Sequence, residues 1–307
     1  MEVGFKFNNI EIIEKIATGG MGEVFKAIQK VSDLFERLVV VKNIKSIYTD
    51  DKLFTNMFFN EARITAKLIH ENIVQIYDLN KVNNEYYILM EYIDGKDLFQ
   101  MGKVAFSKKE LVPIPIILRV IEQVCNGLKY AHDFSDATGK PYNIVHRDIS
   151  LQNVMVTYTG MVKVLDFGVM QTTEFSNPEA VSKVPGKANY MSPELIRGED
   201  ADKRSDVFSL GIVFYQMLTG RKPFKHTDIN LLMEQILKVE VPPPSTILPS
   251  IPKEIDNIIL KMLEKDRKNR FQSTNELQHE LENYMFKHQL RVSNYTLEKY
   301  MRYLFEQ

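Results

Sequence analysis

Apolar and polar positions alternate through residues 10–47, and the segments IEIIEKIATG, GEVFKAIQK and RLVVVKNI predict three strands of a small antiparallel sheet, the first two joined by the glycine-rich TGGMG. The spacing then changes. Phe54, Met57, Phe58, Ile64 and Leu68 recur at helical intervals and predict a helix over 52–69, after which NIVQIYDL and EYYILMEYI predict two more strands. Beyond EYIDGKDL the period lengthens into helical patterns at 114–134, 203–219, 228–239 and 253–264, interrupted by a loop-rich stretch at 141–200, so a boundary is expected near Gly95. Inside that stretch NVMVTY, Thr159-Gly160 and MVKVLDF read as a β-hairpin, and VPPPS at 241–245 breaks the helical region without being a linker. At the end of the chain Leu297, Tyr300, Met301, Leu304 and Phe305 share one helical face behind a cap at Ser293 or Asn294. That face either packs on the rest of the chain or docks a partner or second copy. The elements add up to an α+β chain with a mainly antiparallel first part and a mainly helical second part.

Composition narrows the function class. With 307 residues, 44% of them hydrophobic, the chain supports two ordinary domains or one large two-lobed enzyme domain. Lys and Arg total 39 against 40 Asp and Glu, so no global basic field exists to attract nucleic acid or anionic lipid, and any phosphate recognition must be local. The single cysteine, Cys125, has no internal disulfide partner and sits at helical spacing among apolar residues, which reads as core. No signal-peptide pattern opens the sequence, no sensor domain is expected within it, and the longest apolar run, VFSLGIVFYQML, is interrupted by Ser209, Gly211 and Gln216. A cytoplasmic chain without membrane insertion is expected.

Candidate chemistry gathers around VHRDISLQNVMV and LDFGV. Asp148 and Asn153 precede the hairpin and Asp166 follows it, so oxygen donors at its two ends can converge on one hard cation such as Mg²⁺. GGMG is by itself either an ordinary hairpin turn or a loop whose N–H groups cradle phosphate. Lys42 is either a solvated strand-end charge or a phosphate ligand, and Glu61 lies in mid-helix.

In order, IATGGMGEVFKA, VVVK, NEARITAKLIHENIVQIYDL, HRDISLQN, DFG, YMSPE, SDVFSLGIVFYQMLTGRKPF and RKNRFQS resemble the motifs of the eukaryotic-like serine/threonine protein kinase family, from about Ile10 to Arg270. The resemblance implies a bilobal kinase fold over 10–271, with lobes of about 10–93 and 97–271 and a helical extension at 272–307. It also implies ATP with Mg²⁺, or Mn²⁺, and a protein substrate. Gly19, Gly20, Met21 and Gly22 would cover the nucleotide, and Lys42 would hold its α- and β-phosphates and pair with Glu61. Met90 stands at the gatekeeper place, the backbone of Glu91 and Ile93 would meet the adenine edge, and Val24, Val40 and Met155 would sandwich the ring. Asp97 falls at the ribose contact, Asp148 at the catalytic base, and Asn153 and Asp166 at the metal. Glu194 and Arg270 resemble a structural ion pair, and Asp206 the acid that ties down the catalytic loop.

The sequence departs from that pattern in three places. Ala17 replaces the first glycine of the loop. Ser150 stands where the serine/threonine branch has Lys, and Lys187 where it has Thr, as if cation and hydroxyl had exchanged; Lys187 is expected to reach toward the transferring phosphoryl group, or else to point to solvent. A subset of bacterial kinases resembles this exchange. HRDISLQN matches neither the usual serine/threonine form nor the usual tyrosine form, and serine/threonine is the favoured reading. Arg147 beside the catalytic Asp predicts control by phosphorylation at Thr172, Thr173, Ser176 or Ser182. An active protein kinase is the reading that uses all these residues; the alternative is a pseudokinase scaffold with weak nucleotide binding, supported by Ala17 and Ser150.

Overall fold

A computed structural model describes residues 1–18, 22–44, 62–82, 85–167 and 188–306. They form two compact units, one of residues 1–70 and 74–93 and the other of 71–73 and 94–307.

The first unit is an antiparallel sheet of β1 (Lys6–Phe7), β2 (Ile10–Thr18), β3 (Gly22–Ser32), β4 (Phe35–Ile44), β5 (Ile76–Val82) and β6 (Glu85–Glu91), in the order β1-β2-β3-β4-β6-β5. Alternation decides its two faces. Phe7, Ile10, Ile12, Phe25, Ala27, Val39, Val41, Tyr87 and Leu89 make one buried cluster. The register places Val24 opposite Lys42 and Lys42 opposite Ile88, with Val40 opposite Met90, so these residues share the other face. Of the helix expected over 52–69, residues 62–65 are helical within the described part and 66–67 already form a turn. The strand expected from Asn72 begins four residues later, at Ile76. Asn72 and Ile73 are engaged elsewhere: Asn72 bonds Gln123, Val162 and Val164, and Ile73 bridges Val164 in the second unit.

The second unit opens with β7 (Gly95–Asp97), α1 (Leu98–Ser107) and α2 (Ile114–His132), followed by the hairpin of β8 (Val154–Thr157) and β9 (Val162–Val164), which pairs with β7. Gly160 turns that hairpin at φ +78, a conformation that side chains resist. Then come α3 (Pro193–Ile196), α4 (Lys203–Thr219), α5 (Ile229–Lys238), α6 (Pro244–Ile247), α7 (Lys253–Met262), a 3₁₀ turn (Arg267–Asn269), α8 (Thr274–Lys287) and α9 (Asn294–Phe305). The run VFSLGIVFYQML proves to be the centre of this unit. α4 is buried on every side from Ser205 to Leu218 except at Gln216, as expected of a helix surrounded by others. A Cβ on Gly211 would lie 2.9 Å from the Met262 Cβ, so the glycine lets α7 approach. Cys125 is fully buried in α2, and burial pushes its thiol pKa well up, which leaves it as packing. α9 begins with a capping box between Ser293 and Thr296, and it buries Leu297, Met301 and Leu304. Among the described residues no helix is long and apolar enough to cross a membrane.

Candidate active site

The catalytic-loop residues are placed from behind by one buried carboxylate. Asp206, on the first turn of α4, is fully buried, and its Oδ1 accepts the Arg147 N–H at 2.8 Å. Its Oδ2 accepts the His146 N–H at 2.8 Å and the Nε2 of His132 at 2.7 Å. Burial pushes the Asp206 pKa up, but the bond and charge of His132 and the His146 N–H outweigh it, and the net shift is downward. Arg147 sits at φ +64, in the left-handed region, where a side chain stays only if its surroundings hold it.

His146 supplies the second constraint. It is fully buried, its Nε2 lies 2.7 Å from the Leu165 carbonyl and its Nδ1 lies 3.2 Å from the Asp148 N–H. One ring nitrogen must donate and the other accept, which is the neutral imidazole with its proton on Nε2. Burial accordingly lowers its pKa, against the opposing pull of Asp206, Asp148, the Leu165 bond and Asp166. Its ring lies 4.6 Å from that of Phe167. Sequence reasoning assigned His146 no task; its only signal was its place in HRD.

Asn153 completes the group. Its Nδ2 donates to the Asp148 carbonyl at 2.8 Å and to Asp148 Oδ2 at 3.0 Å. Both amide hydrogens are thereby used, and Oδ1 is left as a hard oxygen ligand of the type Mg²⁺ takes. The Asn153 carbonyl accepts the Leu165 N–H at 2.9 Å, which brings the residue before Asp166 against Asn153. Asp166 itself sits at φ +46. The donor set of an amide oxygen and a carboxylate fits a magnesium ion.

The other expected residues fall as follows. Val24, Val40, Lys42 and Met90 are brought to one face of the first sheet, while Asp97 and Met155 are paired neighbours on β7 and β8 of the second unit. Asp97 also caps α1, accepting the Gln100 N–H at 2.7 Å, a duty the sequence reading missed. The Glu91 N–H donates to the Gln75 carbonyl, so an adenine contact from Glu91 would have to use its carbonyl; Ile93 is buried. Gly22 opens β3. Gly19, Gly20, Met21, Glu61, Lys187, Thr172, Thr173, Ser176 and Ser182 lie outside the described residues. Ser150 is 7% exposed, and its carbonyl accepts the Asn153 N–H.

Farther back, Arg270 meets Glu194 through two bonds, of 2.7 and 2.8 Å, with both side chains buried. Ser205 donates to Glu194 as well, and the Arg270 guanidinium also reaches the carbonyls of Glu264, Arg204 and Lys265. Burial pushes the Glu194 pKa up, but Arg270 holds it below the ordinary carboxylate range.

Comparison with known proteins decides the family. The protein kinase domain profile matches residues 10–281. The chain belongs to the protein kinase domain family. It is 39% identical over 277 residues to the Tyrosine-protein kinase MasK of Myxococcus xanthus, covering 90% of this chain and 43% of that protein. It is 32% identical over 291 residues to the Serine/threonine-protein kinase PrkC of Bacillus subtilis, covering 94% and 42%. The chain thus spans less than half the length of these kinases. Its fold matches the crystal structure of the PknI kinase domain of Mycobacterium tuberculosis with a TM-score of 0.71 at 22% identity, covering 92% of this chain and 98% of that one. The fold is the protein kinase fold, with an antiparallel sheet unit and a helical unit.

Proposed function

We propose that the chain is an ATP-dependent protein kinase that transfers the γ-phosphoryl group of ATP to serine or threonine hydroxyls of protein substrates, itself included. The observation that carries this reading is the anchoring of His146, Arg147 and Asp148 by Asp206 and Asn153. A loop held this firmly around an ionisable carboxylate has a chemical use that a scaffold lacks.

Asp148 accepts the hydrogen bond of the incoming hydroxyl and takes its proton as the phosphoryl bond forms, a contribution of about 10²–10⁴ in rate. Asn153 Oδ1 and the Asp166 carboxylate hold Mg²⁺, or Mn²⁺. The ion neutralises charge on the phosphate oxygens when bound. Lys42 holds the α- and β-phosphates with Glu61 as its partner; Val24, Val40 and Met155 would sandwich the adenine, with Met90 as gatekeeper and the Glu91 carbonyl and Ile93 backbone at its edge. Asp97 keeps the ribose while capping α1. Lys187 serves the place left by Ser150, and Arg147 receives a phosphate on the 168–187 segment. The reaction belongs in the cytoplasm. A regulatory partner or second copy docking through α9 would meet Tyr295, Lys299 and Arg302, since Leu297, Met301 and Leu304 are buried within its own unit.

The serine/threonine choice rests on PrkC and on the remaining motifs; the name of MasK favours tyrosine. Incubation with Mg²⁺ and labelled ATP, followed by mapping of the phosphates, separates the two. Phosphoserine or phosphothreonine in the parent, absent from Asp148→Asn and Asp166→Ala, is the expected result. Phosphotyrosine alone would reverse the hydroxyl class, and nucleotide binding without transfer to any protein would leave the pseudokinase reading. Lys187→Ala is expected to slow transfer more than twofold, and a smaller change would remove Lys187 from the site.

A further inference from the structure

The start of α9 rests on the turn of the β8–β9 hairpin. A Cβ on Gly160 would lie 1.9 Å from the Asn294 carbonyl oxygen, so turn and helix meet backbone to backbone. The Asn294 side chain extends that contact inward. Its Oδ1 accepts from Arg119 Nη2 at 2.9 Å and Gln123 Nε2 at 3.2 Å, and its Nδ2 points at the Met161 sulfur at 2.9 Å.

Gln123 passes the constraint to β9. Its Oε1 accepts the Val162 N–H at 3.0 Å and Asn72 Nδ2 at 3.1 Å. Asn72 Nδ2 also donates to the Val162 carbonyl at 2.9 Å, Asn126 donates to Asn72 Oδ1 at 3.1 Å, and the Asn72 carbonyl accepts the Val164 N–H at 2.8 Å. The next residue is Leu165, whose N–H and carbonyl bond Asn153 and His146. Gln123 and Asn72 are 4% and 1% exposed. In so dry a place each amide has one satisfied orientation.

We propose that Asn294 is a positioning residue for phosphotransfer, acting through Gln123 and Asn72 to set β9 and hence Asp166 and Asn153 at the hairpin's ends. The proposal rests on the phosphotransfer reading of that site. Without the Asn294 acceptor, Gln123 Nε2 loses its partner, and the amide is free to rotate Oε1 away from Val162. A shift of about 1 Å in a reacting group costs up to about 10² in rate.

The test pairs steady-state kinetics with amide hydrogen exchange, which needs no activity. Asn294→Ala is expected to speed exchange at Val162 and Val164 about tenfold, with Ile212 in α4 unchanged. It should also lower kcat about tenfold with KM for ATP and protein substrate within about twofold. Asn294→Asp, which keeps Oδ1, should match the parent in both. Tyr303→Phe, which loses only the contact of the same helix to Glu110, should also match it. Asn294→Ser, whose hydroxyl is too short to reach Gln123, repeats the test should the alanine variant not fold. Unchanged exchange at Val162 and Val164, failure of Asn294→Asp to restore it, or an equal loss in Tyr303→Phe would each overturn the proposal. A parent that transfers no phosphate refutes the phosphotransfer reading instead, and the exchange result still decides whether Asn294 holds the hairpin.

Discussion

Replacing Asp206 by Asn tests whether one carboxylate holds the catalytic loop. The carboxylate accepts two backbone N–H groups and one imidazole N–H, all from inside the fold. An amide keeps one acceptor oxygen and presents an NH₂ at the other position. With that NH₂ at the Oδ2 place, both the His146 N–H and the His132 bond are lost; at the Oδ1 place only the Arg147 N–H is lost, so the latter orientation is favoured. A hydrogen bond to a charged group is worth about 1.5–3 kcal/mol, and a donor facing a donor adds to the loss, giving about 2–4 kcal/mol. That is tolerable in a domain of about 5–15 kcal/mol stability, so the variant should fold. The released residue is the one at φ +64, and Asp148 follows it in sequence. Urea unfolding should show the stability loss, and steady-state phosphotransfer should show kcat reduced about 10²-fold. In an Arg147→Gly background, where positive φ costs little, the same substitution should lower kcat by a smaller factor. Stability within about 0.5 kcal/mol and kcat within about twofold would refute the anchoring argument, since such changes are those of a surface substitution.

Arg270→Met, which leaves Glu194 buried and uncompensated, is expected to cost about 3–5 kcal/mol in urea unfolding, and adding Glu194→Gln should recover part of it. Glu194 has a folded pKa below its unfolded one, so the pair's contribution is complete above about pH 4.3 and falls away as pH drops toward the folded value. For His146 the folded pKa is also lowered. Its neutral form therefore stabilises the fold above about pH 6.5, and that contribution declines as pH falls through the folded pKa; the parent should lose stability over this window more steeply than His146→Gln. At Asp97, Ala should cost about 1 kcal/mol while Ser retains the cap of α1, and both should raise KM for ATP; a raised KM in Ala alone would assign Asp97 to capping only.

The strands of the first unit and helices α5 and α7 of the second were legible because each buries a regular face, and a face of fixed period shows in the sequence; α4, buried on every side, showed instead as a long apolar run. The hairpin after the catalytic loop was legible too, since Thr159-Gly160 separates two alternating runs. Asn72 and Ile73 were misread as strand because apolar alternation carries no information about a partner 90 residues away; the side-chain amide of Asn72 bonds the Val162 carbonyl. Helix α1 went unseen because its sequence, LFQMGKVAFS, contains a glycine, and the cap that starts it had already been read as a ribose contact. Asp148, Asn153 and Asp166 were singled out by type and order, and the structure brings Asn153 against Asp148 and against Leu165, the residue before Asp166. Their support was only partly visible: Asp206 follows from the family pattern, whereas the role of His146 is set by its two ring bonds.

The arrangement explains why the loop is tied down by a carboxylate and a neutral imidazole. Two N–H groups on consecutive residues, His146 and Arg147, meet one fully buried side chain, and a carboxylate accepts both with no hydrogen of its own to place. The link from this loop to Leu165 needs a group that donates at one end and accepts at the other, which an imidazole does only while uncharged. Left-handed Arg147 and Asp166 each carry a conformational cost of about 1–3 kcal/mol, and these fixed bonds lie beside both. The constraint therefore acts on the backbone from behind. Asp148 and Asn153 are tied to each other by the Asn153 amide, and Asn153 to Leu165, the residue before Asp166, by the Leu165 N–H.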